Sequence, residues 1–291
     1  MFKEVAFDPK CMADYLYYSL IKQHFGFNKG RYVAINRKAW AREAMSAVKE
    51  SDLQPVRAKS VKNFINKLSK KKHVDGFVLI PERSGFDSFQ DWGDWWEEQN
   101  LIKPFDCSIS ERGNPEFINI DQIIEDVECW QTSPSISVER TTKTIISALE
   151  PLISMSEEIV LIDQYFRVGE NPVLEELLKM TNSFNIKKIR IISSQNTDLL
   201  ERRFDDFYRS LISECCTFAW ITAPDKFFHV RMFITDKGAI SSDPGFMASS
   251  ARGAHSDFST FSLVSKKDKD RVLISLQEII EDNRAREWNL S

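Results

Sequence analysis

Two hydrophobic patterns divide this chain near residues 131–137, a polar stretch that contains Pro134. Before it, apolar residues recur every three or four positions, as in amphipathic helices. After it, short apolar runs alternate with helical stretches, as in an α/β layer. The sequence therefore predicts a mainly α-helical N-terminal domain over 1–132. It also predicts an α/β C-terminal domain over 137–291, with a mixed sheet and flanking helices.

The pattern of the N-terminal half predicts three helices and one short strand. The first helix starts at Pro9 and reaches about residue 25, and the second is capped by Asn36 and ends near residue 49,. A short extended piece at 31–35 separates them, and a third helix is predicted over 58–72. That third helix has a basic face made of Arg57, Lys59, Lys62, Lys67, Lys70, Lys71 and Lys72.

The basic face allows two interpretations. Three helices and a strand with one basic helix are typical of a winged-helix-like unit that contacts nucleic acid. The alternative is a helical bundle whose basic face is solvated or pairs with the acidic segment around Trp92, Trp95 and Trp96,. In a protein-binding version of this chain, that tryptophan-rich segment would dock on a partner.

Strands and helices alternate in the C-terminal half. Buried strands are predicted at 159–163 and 188–193, with shorter ones at 217–222, 228–234, 239–242 and 260–264,. Helices are predicted at 137–155, from Asn171 to about 181, from Thr197 to about 214, and at 267–284.

The most informative chemistry lies at His229, Arg231 and Asp236. Residues two apart on a strand share a face, so the predicted strand 228–234 places the imidazole beside the guanidinium, where they form a site for an anion. Asp236 follows where that strand should end. Asp163 ends the first buried strand, and ligands of open α/β sheets collect at such carboxyl ends. A turn or capping aspartate is the alternative for Asp163.

The spacing His-x-Arg-x4-Asp resembles the His-x-Lys-x4-Asp signature of the phospholipase D superfamily, with arginine at the lysine position. The chain is more similar still to the degenerate single-motif branch typified by the C-terminal domain of microtubule-interacting-and-transport proteins. That branch tends to show an aspartate and an aromatic after the first strand, here in Asp163-Gln164-Tyr165-Phe166. A glycine-containing turn follows the motif, here Asp243-Pro244-Gly245-Phe246. The resemblance covers about residues 138–284.

This resemblance implies a metal-independent phosphodiesterase or nuclease. His229 would attack phosphorus and form a phosphohistidine, Arg231 would stabilise the charge on the non-bridging oxygens, and Asp236 would orient a histidine. Because the chain has one motif, the second histidine would come from a homodimer or from His255. Asp163, Tyr165, Ser249 and His255 are the expected supporting or phosphate-binding residues. The degenerate branch implies the alternative, a non-catalytic binding module.

The net charge and the lengths of the apolar runs limit the classes of partner that the sequence predicts. The net charge of −4 gives no overall nucleic-acid signature, so any polyanion site must be local,. Lys59, Lys62, Lys67, Lys70 and Lys71 are the expected contacts with nucleic acid or a partner protein. The absence of any 18-residue apolar run predicts no transmembrane segment. Together with the basic helix from Arg57 to Lys72, this favours nucleic acid over lipid. By association alone, the resemblance to bacterial domains implies a component of a larger system such as an anti-phage defence system.

The cysteine pattern and the absence of nucleotide-binding motifs predict that the protein uses no cofactor. Five cysteines occur without a C-x-x-C pair, and we expect them to be reduced thiols in a cytoplasmic protein,. No His, Cys, Asp and Glu set has zinc-ligand spacing, so no metal is expected. The chain also lacks both the P-loop and the dinucleotide-binding glycine patterns.

Overall fold

The computed structural model describes residues 1–70, 76–78, 83, 91–194, 199–249 and 257–290. The chain divides into two compact units, one of Phe2–Thr132 and the other of Ser133–Ser291 together with Met1. Each unit is built around a β-sheet with helices beside it, so the fold is mixed α/β.

The N-terminal unit combines helices with a small parallel sheet. Strands β1 (Lys3–Phe7), β2 (Arg31–Ala34) and β3 (Cys107–Ile109) pair in the order β2-β1-β3. The helices of the described residues are α1 (Tyr15–His24), α2 (Arg37–Glu50), α3 (Pro55–Ser69), α4 (Trp92–Ile102) and α5 (Ile120–Ile124). The expectation of a mainly helical domain therefore missed a sheet. Its strands are parallel, whereas the wing of a winged helix is an antiparallel hairpin,.

Of the three helix starts predicted in this unit, that of α2 follows the predicted capping chemistry. The side chain of Asn36 accepts a hydrogen bond from the amide of Ala39 and caps α2, as the sequence predicted,. The first helix differs, because Asp14 caps α1 after a separate 3₁₀ turn over Pro9–Ala13. The third helix begins at Pro55, three residues earlier than predicted.

The tryptophan-rich segment faces inward. Trp92, Trp95 and Trp96 lie on α4 and are all buried in the core of the unit. The indole Nε1 of Trp96 donates to the hydroxyl of Ser108 at 2.8 Å. These rings are therefore not available to a partner, because their apolar surface already stabilises this unit. Docking of the acidic segment on a partner protein stays a prediction.

The C-terminal unit contains an eight-stranded mixed sheet in the order β11-β7-β6-β5-β8-β9-β10-β4. Strands β5, β6 and β7 are parallel, and every other neighbouring pair is antiparallel. The strands are β4 (Ser135–Glu139), β5 (Glu158–Ile162), β6 (Lys188–Ser193), β7 (Thr217–Thr222), β8 (Arg231–Thr235), β9 (Ala239–Asp243), β10 (Phe258–Leu263) and β11 (Arg286–Asn289).

Four α-helices flank the sheet in the described part of this unit. They are α6 (Thr142–Ile153), α7 (Pro172–Lys179), α8 (Leu200–Phe207) and α9 (Lys266–Glu281). Asn171 caps α7 by accepting from the amide of Leu174, with Pro172 at the first helical position,. Ser265 caps α9 in the same way through the amide of Asp268.

Several predicted boundaries in this unit are wrong. The region predicted as one helix over 137–155 is strand β4 followed by α6, and β11 was not predicted. Helix α8 ends at Phe207, not near residue 214, and Thr197 lies outside the described residues. The predicted strand 228–234 begins only at Arg231. In the described part of the chain, every helix is too short or too polar to cross a bilayer.

Candidate functional site

Asp163 lies directly after β5 and is almost completely buried, with 2% of its surface exposed. Its amide donates to the carbonyl of Ile192, which extends the parallel pairing with β6 by one residue. Its carboxylate accepts the amide of Tyr165 at 3.0 Å and the amide of Phe246 at 2.9 Å. Burial raises the pKa of this carboxyl above its usual range, against the opposing effect of the two amides,.

A glycine turn closes over this carboxylate. Gly245 has φ +141°, a conformation that side chains rarely adopt,. A Cβ placed there would lie 2.6 Å from Oδ2 of Asp163 and 3.2 Å from Cδ of Arg231. The carbonyl of Gly245 accepts the hydroxyl of Ser242 at 2.6 Å, which fixes the turn to the end of β9. Only glycine fits here, because the backbone approaches both charged side chains.

Arg231 is the first residue of β8 and completes the cluster. Its Nε lies 3.8 Å from Oδ1 of Asp163, and its Nη1 lies 3.4 Å from Oδ1 of the exposed Asp243. Its Cζ lies 5.6 Å from the centre of the Tyr165 ring, within cation–π range,. The side chain keeps 26% of its surface exposed. Its buried Nε has no hydrogen-bond partner among the described residues.

Arg140 adds a second positive charge close to Asp163, where it favours the ionised carboxylate. Its Nη2 donates to the carbonyl of Met247 at 3.2 Å. Its own carbonyl accepts both the amide of Ser249 at 2.8 Å and the Ser249 hydroxyl at 3.2 Å. Ser249 therefore fixes the segment that follows the Gly245 turn to the backbone of Arg140. Sequence reasoning missed Arg140, which lies 91 residues before Arg231 and outside any motif.

His229 is not on the strand. It lies in a bend that follows a 3₁₀ turn over Asp225–Phe227, and its amide donates to the carbonyl of Phe227 at 3.1 Å. Its side chain is exposed, next to the exposed Val230. The predicted side-by-side projection of His229 and Arg231 from one strand is therefore wrong, because the turn ends the extended backbone before Arg231.

Asp236 lies at the opposite end of β8 from Arg231. Asp236 is five positions after Arg231 along the strand, which corresponds to roughly 16 Å,. The Asp236 carboxylate accepts the amides of Glu157 and Glu158 at 2.9 and 3.4 Å, and Lys237 Nζ lies 2.9 Å from it. Asp236 therefore fixes the start of β5 and does not join the site.

The remaining predicted residues divide between the described and undescribed parts of the chain. Tyr165 lies with Arg231 and is 56% exposed. Lys59, Lys67 and Lys70 are exposed on or just after α3, and Lys62 is half-buried. Lys71 and His255 lie outside the described residues. Within the described ranges, no group of three His, Cys, Asp or Glu side chains is placed to hold a metal ion.

Comparisons with known proteins give little guidance. No protein-family model matches the chain, and no curated protein matches it. A solved structure of TrmBL2, described as an archaeal chromatin protein with a novel mode of DNA binding, is similar at 15% identity. The match covers 92% of this chain and 97% of that one, with a TM-score of 0.30. A likeness of that degree carries no argument about fold or function.

Proposed function

We propose that the C-terminal unit binds phosphate groups of single-stranded nucleic acid at Arg231, on a phospholipase D-like domain of a multi-protein system. The observation that carries this proposal is the guanidinium of Arg231, which lies near both the buried Asp163 carboxylate and the Tyr165 ring while 26% of its side chain stays exposed. A fixed planar fork of donors matches phosphate geometry. Holding the fork in place before binding reduces the entropy lost when the anion binds.

Tyr165 favours nucleic acid over a simple phosphate ester. Its ring is exposed next to Arg231. An exposed aromatic beside a cation is the combination on which proteins stack bases while they neutralise the backbone. Arg140 contributes further positive charge near Asp163. In the N-terminal unit, the exposed lysines of α3 are a second proposed contact with the polyanion,.

Binding is better supported than cleavage. A phosphohistidine mechanism needs a nucleophile beside the phosphate clamp and an acid for the leaving group. His229 is displaced from the strand, and Asp236 is occupied by backbone amides at the far end of β8. In the described residues of this unit, no second histidine accompanies His229. Cleavage would therefore depend on His255 or on a second copy of the chain.

The second candidate function is a protein-interaction module in which Arg231 is structural. The observation in its favour is the pairing of Arg231 with two carboxylates of its own chain, Asp163 and Asp243. Since Asp243 is exposed, its ion pair is worth little and a phosphate can displace it. Whether substitution of Arg231 weakens anion binding therefore distinguishes the phosphate-binding function from the interaction module.

The test is incubation of the whole protein with single- and double-stranded DNA and RNA, with and without a chelator. Both complex formation and cleavage are followed. The proposal expects a complex with single strands, no cleavage, no effect of chelator, and weaker binding by Arg231→Gln. Cleavage that His229→Ala abolishes would replace the binding proposal with the enzymatic one. Absence of any complex would leave the interaction module as the better account.

A further inference from the structure

A groove of about 760 Å³ lies beside α9 in the C-terminal unit. The loop over 224–230 forms one side of it, α9 forms the other, and Ile162 of β5 contributes to its lining. Its volume falls in the range of sites that enclose a specific ligand. The phosphate proposal at Arg231 does not account for it, although His229 of the motif is among its lining residues.

The groove and the Arg231 cluster occupy opposite faces of the sheet. Ile162 and Met232 are paired across β5 and β8, so their side chains share a face,. Asp163 and Arg231 are the next residues along each strand and point the other way. Because Ile162 lines the groove, a ligand there would not contact Arg231. The two sites are therefore physically separate.

The lining is largely apolar. Ile162, Pro224, Phe227, Val230, Val272 and Ile279 supply its hydrocarbon surface. Val230 is 45% exposed, which is high for a β-branched apolar residue,. Helix α9 has sixteen residues, yet only Leu276 and Ile279 of them are buried. Part of its apolar surface therefore remains open to solvent along the groove, where a ligand would gain by covering it.

Positive charge surrounds this apolar surface. Lys226 lies on the loop side, while Arg271 and Arg284 lie on the helix side, against the single carboxylate of Glu278. Arg271 and Arg284 also pair with Asp268 and Asp282, which are not lining residues, at 3.1 and 2.8 Å. These exposed pairs contribute little, and each guanidinium keeps further donors for a ligand.

The charges are spread along the groove and not gathered at one point. Its α9 lining extends from Arg271 to Ile279, which is roughly 12 Å of helix axis,. A ligand with one anionic head would match one position and leave the others unmatched. A peptide can place a carboxylate at each end and apolar side chains between them. Four extended residues or two helical turns span this length.

We propose that this groove binds a short segment of a partner protein in which acidic residues flank two or three apolar residues. The apolar side chains would cover Val230, Val272 and Ile279, and the carboxylates would pair with Lys226, Arg271 and Arg284. This interaction is additional to phosphate binding and uses the other face of the sheet.

The test begins with selection from a displayed library of random 12-residue peptides against the full-length protein. Selected peptides are synthesised, labelled, and titrated by fluorescence anisotropy. The proposal expects an excess of acidic and apolar residues in the selected sequences. It also expects at least tenfold weaker binding by Val272→Glu and by Arg271→Glu. Arg271 is exposed, so its substitution decides the question even if Val272→Glu unfolds.

Two matched variants separate this site from others. Ile274 is exposed on the same helix outside the groove lining, so Ile274→Glu should bind the selected peptides within twofold of the parent protein. Arg231→Lys should also leave peptide affinity unchanged, even where it weakens nucleic-acid binding. The proposal would be overturned if Val272→Glu and Arg271→Glu bound the peptides as tightly as the parent protein does. It would also be overturned if the selected peptides showed no excess of acidic residues. Failure to select any peptide while laurate or a 12-nucleotide DNA binds the groove would overturn it as well.

Discussion

Asp163 directly follows β5, and its Oδ1 lies 3.8 Å from Nε of Arg231, the first residue of the antiparallel strand β8. The pairing of Ile162 with Met232 sets this register, and hydrophobic packing of both strands maintains it,. The buried carboxylate fixes the guanidinium near the surface. The site is thus a consequence of where two buried strands end and begin.

Asp163→Asn should destabilise the protein by about 1–3 kcal/mol. The carboxylate accepts backbone amides with each of its oxygens, and an asparagine has only one acceptor oxygen,. One buried amide would therefore lose its partner. Urea unfolding monitored by tryptophan fluorescence measures the change. Asp243→Asn is the control, because its exposed carboxylate makes one long contact and its loss should cost less than about 0.5 kcal/mol,. Equal stability of the Asp163 variant and the parent would contradict this assignment.

Gly245→Ala should destabilise the protein by at least about 1–3 kcal/mol, the scale of backbone strain at such a position. The added Cβ would also lie 2.6 Å from Asp163 Oδ2 and would force the carboxylate or the turn to move. Thermal unfolding measures the loss. Gly113→Ala is the matched control, because a Cβ there meets no atom within 4 Å. If the two alanine variants unfold at the same temperature, the close packing that we infer for this turn is wrong.

Glu4 provides a pH-dependent test in the N-terminal unit. Burial alone would raise its pKa, but the hydrogen bonds and charges of Arg83 and Lys103 outweigh burial and hold the pKa below its usual range. A lowered folded-state pKa contributes stability above the unfolded pKa, and that contribution is lost as pH falls through the folded value. Glu4→Gln should therefore cost about 3 kcal/mol at pH 7, since it leaves the largely buried guanidinium of Arg83 without its carboxylate partner,.

The same variant should cost progressively less as the pH falls below about 4, because the parent protein then also carries a neutral side chain. The urea midpoints of the variant and the parent protein, measured across this pH range, test whether the stability difference shrinks on acidification. The exposed Glu128→Gln should change stability by less than about 0.5 kcal/mol at any pH,. A Glu4 effect that grows on acidification would show that the direction of the pKa shift is wrong.

The sequence predicts the centre of the C-terminal sheet well. The strands β5, β6 and β7 match the predicted ranges to within one residue, because buried parallel strands are continuous apolar runs,. Edge strands were missed or mistaken. The β4 segment Ser135–Glu139 is polar and only Val138 is buried, so its alternation was indistinguishable from the start of the helix after it. Strand β11 was not predicted because its residues are mostly charged or polar and none of them is buried.

The site is predicted only in part, and the reason is geometric. Asp163, Arg231 and Tyr165 were expected at one site, and the structure brings these three together. His229 and Asp236 share the motif spacing with Arg231, yet local backbone decides their places. A 3₁₀ turn removes His229 from the strand, and amides 79 and 78 residues away capture Asp236. Neither interaction leaves a signal in a short spacing pattern.

The affinity of a labelled 12-nucleotide single-stranded DNA, measured by fluorescence anisotropy over a series of salt concentrations, tests the central claim most directly. Arg231→Lys and Arg231→Gln are compared with Arg209→Gln, an exposed arginine paired with Asp205 on the same unit. Melting curves confirm that each variant is folded.

If Arg231 binds phosphate through its fork, Arg231→Lys should weaken binding by about 1–3 kcal/mol. Arg231→Gln should weaken it at least as much and reduce the salt slope by roughly 0.7, the contribution of one phosphate contact. Arg209→Gln should change neither quantity. A folded Arg231→Gln protein with unchanged affinity and slope would contradict the account.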